Sequence, residues 1–261
     1  AYSTMSHLGL MMLSLGVGPW VVAILHLVVH GLSKSLLFLC AGNVMHSTGN
    51  QTDCWSLGGL RKNMKITASA FTIGALSLAG IIPLAGFFTK EEILISLTEI
   101  QGLWPIILMI VLVGVFVSAL YITRLTLITF YGEPRSENAA RSQESPWIMT
   151  IPLIILSALI VIFGLILIPL PFVDGYRGLG HFIDPKYKVH FVPWLSFISI
   201  LVAFLGLLLG WLFYGNNALS HTKMVGRVAP LYDLIIRKYK IDELYQWVID
   251  HAILAFGRLI A

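Results

Sequence analysis

Long apolar segments constrain this chain more than any other feature. Six of them, at about 2–17, 20–46, 66 into the 90s, 103–131, 147–170 and 191–214, take up most of its 261 residues. A helix that crosses roughly 30 Å of hydrocarbon needs about 20 mostly apolar residues, and it satisfies its own backbone polar groups on the way. The pattern predicts an all-α, polytopic transmembrane helix bundle over residues 1–214. Residues 215–261 read as a cytoplasmic or matrix-side connection followed by an amphipathic helix. Charged residues make up 11% of the chain and mean hydropathy is +0.85. A soluble domain carries about 25% charged residues, so a soluble enzyme is excluded, and the apolar content excludes a disordered chain. The two cysteines, Cys40 and Cys54, form no disulfide framework or metal site, because Cys40 lies inside an apolar run. The chain starts at Ala1 within an apolar segment and reads as a piece of a longer protein.

Lys and Arg are distributed unevenly between the two ends of the segments. One end gathers Arg61, Lys62 and Lys65, Arg135 and Arg141, and the basic residues after 215, Lys223 and Arg227 among them. The other holds two short turns and the loop 171–190, with Arg177, Lys186 and Lys188. The richer end is assigned to the cytoplasm or matrix. Trp20, Trp55, Trp104, Trp147 and Trp194 fall at or near segment ends, where interfacial anchors belong. A net charge of +4 fits a membrane protein with a basic inner side and implies no nucleic-acid partner.

The second segment contains His26, His30 and Lys34 at i, i+4, i+8. On a helix they form one row, about 6 Å apart along the axis. Lys34 falls near the middle of the segment, where a charged lysine costs roughly 2.5–3.5 kcal/mol on insertion scales. Such a residue faces protein or water and marks an ion or proton path. Neutral histidine accepts a proton on one ring nitrogen and gives one up from the other, so the row has the chemistry of a proton relay. His26 and His30 have metal-ligand spacing, but no third ligand is visible nearby, and no metal site is expected.

In the third segment Gly80, Pro83 and Gly86 interrupt an apolar run that continues to Ile100. From Ile66 to Ile100 a continuous helix would be roughly 52 Å long, well over one bilayer. Two readings stay open from spacing alone. Either the span ends near Phe88, with Lys90, Glu91 and Glu92 interfacial, or the helix breaks at 80–86 and resumes, keeping Lys90 at depth. Broken helices beside polar residues are how transporters build midplane sites. Arg124 lies about two turns from the end of the fourth segment, within snorkelling reach. The fifth and sixth segments carry no ionisable residue. In the tail, Leu234, Ile241, Leu244, Val248, Ala252, Phe256 and Leu259 recur at helical spacing among charged positions such as Asp233, Arg237, Asp250 and Arg258. That is an amphipathic helix too polar to span.

The stretches AYSTMSHLG, HLVVHGLSKSLLFL with GNVMH, LGGLRKNMKIT, GFFTKEEIL, TFYGEPR and YDLIIRKYKIDELY occur in an order that resembles one family. It is the antiporter-like subunit L, also numbered subunit 5, of NADH:quinone oxidoreductase, respiratory complex I. The resemblance implies that the chain corresponds to the second half-channel bundle plus the start of a lateral helix. It implies a proton relay in which Lys34 is the central lysine, His26 and His30 stand beside it, and Lys90 is the broken-helix lysine. Glu91 takes the place of the acidic residue that follows. His7 stands where the family usually has Gln, Ser33 where an aromatic is common, and Ile82 where a second Pro is common. The implied function is proton translocation coupled to electron transfer in other subunits. No haem, flavin or iron–sulfur motif is visible, so NADH, FMN, iron–sulfur clusters and quinone are expected in partner subunits. Those partners are the neighbouring membrane-arm subunits, with the lipid bilayer around them. The expected location is a bacterial plasma membrane, with an organelle inner membrane or a thylakoid as alternatives. A subunit of a multisubunit cation/proton antiporter or of a hydrogenase-linked pump is the competing reading.

Overall fold

A computed structural model describes residues 2–18, 20–98, 102, 104–167, 178–187, 192–215 and 229–254. Arg177, Lys188, Lys223, Arg227, Phe256, Arg258 and Leu259, used above, lie outside the described residues. The chain divides into two units, 1–216 and 217–261. The first is built from α1 (Tyr2–Val17), α2 (Trp20–Ser47), α3 (Lys65–Ala79), α4 (Ala85–Leu97), α5 (Trp104–Phe130), the short α6 (Glu137–Ala140), α7 (Trp147–Leu167), α8 (Gly178–Ile183) and α9 (Pro193–Tyr214). No strand occurs among the described residues. Among the described residues four helices, α2, α5, α7 and α9, are long and apolar enough to cross a membrane. Trp20, Trp104 and Trp147 open α2, α5 and α7, and Trp194 is the second residue of α9.

The choice left open for the third segment is settled by the backbone. Helix α3 stops at Ala79, and α4 resumes at Ala85. Gly80 closes α3 in the left-handed region at φ +84°, which glycine reaches without steric cost. Its N–H and that of Ile81 return to the carbonyls of Leu76 and Ser77, a Schellman-type ending. Helix α4 then starts hard against the last turn of α3. A Cβ on Gly86 would sit 1.8 Å from the Ser77 carbonyl oxygen, so only glycine permits this approach. On the other side, Gly164 of α7 backs onto the break, close to the Pro83 carbonyl.

Helix α9 lies along α5 through a stripe of small buried residues, Ser199, Ala203, Gly206 and Gly210. Small side chains let backbones come close where no hydrophobic driving force separates lipid from protein. The main core gathers Leu36 and Leu37 of α2, Phe71 and Leu78 of α3, Phe130 of α5, and Leu153 and Ile160 of α7.

The basic loops are knitted together at one end of the bundle. Gly59 N–H donates to the Tyr131 carbonyl, Asn63 to Ala140, and Arg135 to the Leu57 and Ile128 carbonyls. Glu144 caps α3 from 77 residues away: its Oε2 accepts the Ile66 N–H at 2.7 Å, and its Oε1 accepts the Thr67 hydroxyl at 2.6 Å. The Arg124 guanidinium lies over the rings of Trp55 and Tyr214, at 5.5 and 5.4 Å from their centroids, so its stem snorkels and its head is held by aromatic faces.

The second unit departs from the single amphipathic helix expected of it. Helix α10 (Ala229–Ile236) ends at a short turn, Lys238–Lys240, and α11 (Ile241–Val248) follows, passing into one π-type turn over Ile249–Ile253. Lys238, Tyr239 and Lys240 all have positive φ, between 50° and 58°. That conformation costs an L-residue roughly 1–2 kcal/mol. Two i, i+4 ion pairs flank the turn, Arg237–Asp233 at 3.0 Å and Lys238–Asp242 at 2.9 Å. Each ties one cation of the basic cluster to its own side of the break.

Candidate functional site

The sequence row on α2 supplies the frame of the site. His26 and His30 are buried, at 2% and 6% exposure, one turn apart. Lys34, the next residue of the row, is only half-buried in this unit. The row therefore runs from a closed interior at His26 to an open edge at Lys34.

Helix α1 adds a third imidazole. His7 is buried at 4% exposure, and its Nδ1 lies 3.0 Å from His26 Nε2. Its ring also stacks on that of His30, with centroids 4.6 Å apart. Helix α4 adds the next partner: His26 Nδ1 lies 2.9 Å from Thr89 Oγ1. The order His7, His26, Thr89 is a continuous hydrogen-bonded chain running across three helices. His30 Nε2 is buried without a hydrogen-bond partner among the described residues. Buried polar atoms of this kind are few in folded proteins, and a water commonly satisfies them.

Lys90 follows Thr89 and is buried at 6% exposure. Its Nζ donates to the Leu78 carbonyl at 2.6 Å. Leu78 is in the last turn of α3, where a helix leaves carbonyls without intrahelical donors. The break in the helix and the burial of the amine therefore depend on each other. Ser77, beside it, exchanges a 3.0 Å hydrogen bond with Ser33 of α2. Ser33, one of the departures from the family pattern, thus ties the row of α2 to the broken helix.

Glu91 is buried at 5% exposure and accepts from Ser196 of α9 at 2.5 Å. Glu92 accepts from the Tyr187 hydroxyl at 2.6 Å. Glu91 therefore faces α9, and Glu92 meets the segment that follows α8. A cavity of about 300 Å³ opens between α1, α4 and α5; His7 and Lys90 both line it.

The structure brings His26, His30 and Lys90 into one polar interior, sets Glu91 against α9, and leaves Lys34 at the edge. Sequence reasoning missed Thr89, Ser77 and Ser196, and marked Ser33 only as a departure from the family pattern. Hydroxyls in apolar helices carry no pattern of their own, and only the helix packing gives them partners.

Residues 1–118 match the family model described as NADH:quinone oxidoreductase/Mrp antiporter, transmembrane. That stretch contains all three histidines, the broken helix, Lys90 and Glu91. Residues 1–118 are thus similar to the membrane domain of that family. Similarity to subunits of this family extends well past residue 118. The chain is 34% identical to the chloroplast NAD(P)H-quinone oxidoreductase subunit 5 of Nephroselmis olivacea, over 95% of this chain and 40% of that protein. It is 34% identical to NADH-quinone oxidoreductase subunit L of Mycobacterium tuberculosis, over 88% of this chain and 36% of that protein. The chain thus spans about two fifths of the length of these relatives. The Mrp complex from Dietzia shares the fold, with a TM-score of 0.62 at 23% identity, over all of this chain and 31% of that one. With its apolar helices, the family places the chain as an integral membrane protein.

Proposed function

We propose that this chain is part of a proton-translocating membrane subunit of an NADH:quinone oxidoreductase. The observation that carries the reading is the buried row of His26 and His30, with His26 hydrogen-bonded to Thr89 beside Lys90 at a helix break. Hydrocarbon-depth polar groups are costly, and a connected row of exchangeable protons is what a proton path requires. Lys34 passes protons between the open edge of the row and His30 and His26. Lys90 holds a proton at the break, and Glu91 with Ser196 forms the exit on the α9 side. NADH, FMN, iron–sulfur clusters and quinone belong to partner subunits, and neighbouring membrane-arm subunits sit against this one in the bilayer. The chain's own residues bind and move protons and hold no electron carrier. Electron transfer elsewhere drives the relay by changing the charge next to Lys34.

The family description also names the Mrp antiporter, and an antiporter subunit would use the same row. The test is NADH-driven proton uptake into inverted membrane vesicles bearing the full-length parent, with and without Lys34→Ala. Assembly is checked on a native gel. The reading predicts an assembled complex whose proton uptake is lost. Unchanged uptake makes Lys34 a structural lysine and overturns it. Sodium–proton exchange with no response to NADH in the unmutated parent assigns the chain to the antiporter branch.

A further inference from the structure

His7 stands where the family pattern usually places glutamine, and nothing in the row of α2 required it. Its position nevertheless joins the site to open space. It is hydrogen-bonded to His26, stacked on His30 and exposed to the cavity that also reaches Lys90. We propose that His7 is a proton-transferring member of the relay, linking water in the α1–α5 cavity to His26 and Thr89. This rests on the proton-translocating reading above and adds an entry branch to it.

The cavity can hold the water that this role needs. Ser6, His7, Lys90 and Ser118 give its wall polar groups, and its volume of about 300 Å³ exceeds by several-fold the roughly 30 Å³ that one water occupies in the liquid. Gly9 and Gly114 also line it, and a Cβ on either would meet nothing within 4 Å. A water there needs two to four polar partners, which these side chains supply.

The geometry of the chain sets the proton bookkeeping. A neutral imidazole has one N–H, so each contact in the order His7, His26, Thr89 carries a single proton. In one arrangement His7 Nδ1–H donates to His26 Nε2, and His26 Nδ1–H donates to Thr89 Oγ1. A proton from protonated cavity water then bonds to His7 Nε2. The Nδ1 proton of His7 moves to His26 Nε2, and the Nδ1 proton of His26 moves to Thr89 Oγ1. The hydroxyl proton of Thr89 passes to a further water. One proton enters and one leaves, and no electron moves. Both imidazoles finish in the opposite tautomer, so a second transfer in the same direction requires the rings to turn over. Glutamine at this position keeps a hydrogen bond to His26 and cannot make the transfer, since its amide does not exchange a proton between two nitrogens.

The test uses the assembled parent complex in inverted vesicles with NADH as donor. His7→Gln is expected to assemble and to lose about tenfold in proton uptake per NADH oxidised, less than the roughly hundredfold or more of a sole proton-transfer group, because the Lys34 branch remains. His7→Ala vacates the space of an imidazole next to the cavity, and added imidazole is expected to restore its uptake. Parent-level uptake in His7→Gln overturns the proposal. So does a His7→Ala defect that imidazole leaves unchanged, because a packing role would give that result. Lys34→Ala, run alongside, separates the two claims. If it is impaired and His7→Gln is not, only the role of His7 falls. If Lys34→Ala pumps like the parent, the broader reading falls whatever His7 does.

Discussion

Lys90 Nζ donates to the carbonyl of Leu78 across the gap between α3 and α4, at 2.6 Å. The carbonyl would have found a backbone donor had the helix continued. The amine would have needed water had the helix not stopped. One interaction satisfies both, and it fixes a titratable group at the break, next to the Thr89 that His26 meets.

Thr89 is the only described hydrogen-bond partner of His26 on α4. Thr89→Val keeps the shape of the side chain and removes the hydroxyl. The change leaves His26 Nδ1 buried without this partner and should cost about 1–3 kcal/mol of stability. It should still lower proton uptake about tenfold in an assembled complex, since the chain from His7 and His26 then ends without an acceptor. Uptake in vesicles, normalised to subunit content on a native gel, measures it.

Gly86 sets how closely α4 approaches α3. Gly86→Ala places a methyl group into the Ser77 carbonyl and cannot be relieved by a rotamer change. Overpacking of this kind costs about 1–3 kcal/mol, and a backbone obstacle pushes it higher. The expected result is a sharp loss of assembled complex on a native gel. Gly42→Ala is the matched control, since its new Cβ would meet nothing within 4 Å and assembly should be unchanged.

Glu144 caps the first turn of α3 through Ile66 and Thr67. Glu144→Ala leaves those donors without the carboxylate and should destabilise the subunit by about 0.5–2 kcal/mol. Glu144→Gln retains one acceptor oxygen and should lose less. Thermal unfolding of the purified complex, compared across the two variants, distinguishes the cap from a general effect of the loop.

The parts of the site that follow one helix were legible in the sequence. His26 and His30 are one turn apart, and Gly80, Pro83 and Gly86 fall at the break, although spacing alone left a span ending near Phe88 equally open. The parts that join helices were not. His7 meets His26 only because α1 lies against α2, and Ser33 meets Ser77 only because α2 lies against α3. Lys34 reads as central from its place in the segment, yet its side chain is only half-buried, while Ser33 and Leu36 of the same turn are buried. The turn at Lys238–Lys240 had no Gly or Pro to announce it. Three residues with β-carbons adopt left-handed backbone there, flanked by exposed ion pairs, and neither propensity nor periodicity encodes that.

The most direct test of proton passage through the broken helix is proton uptake per NADH oxidised in vesicles bearing Lys90→Met. Methionine fills the same volume and leaves the Leu78 carbonyl without its donor. That costs about 1–3 kcal/mol, a loss an assembled membrane subunit can carry. The expected result is an assembled complex that oxidises NADH with proton uptake well below the parent ratio. A parent ratio in assembled Lys90→Met would contradict it, leaving Lys90 as a structural cap for α3 and placing the proton path elsewhere.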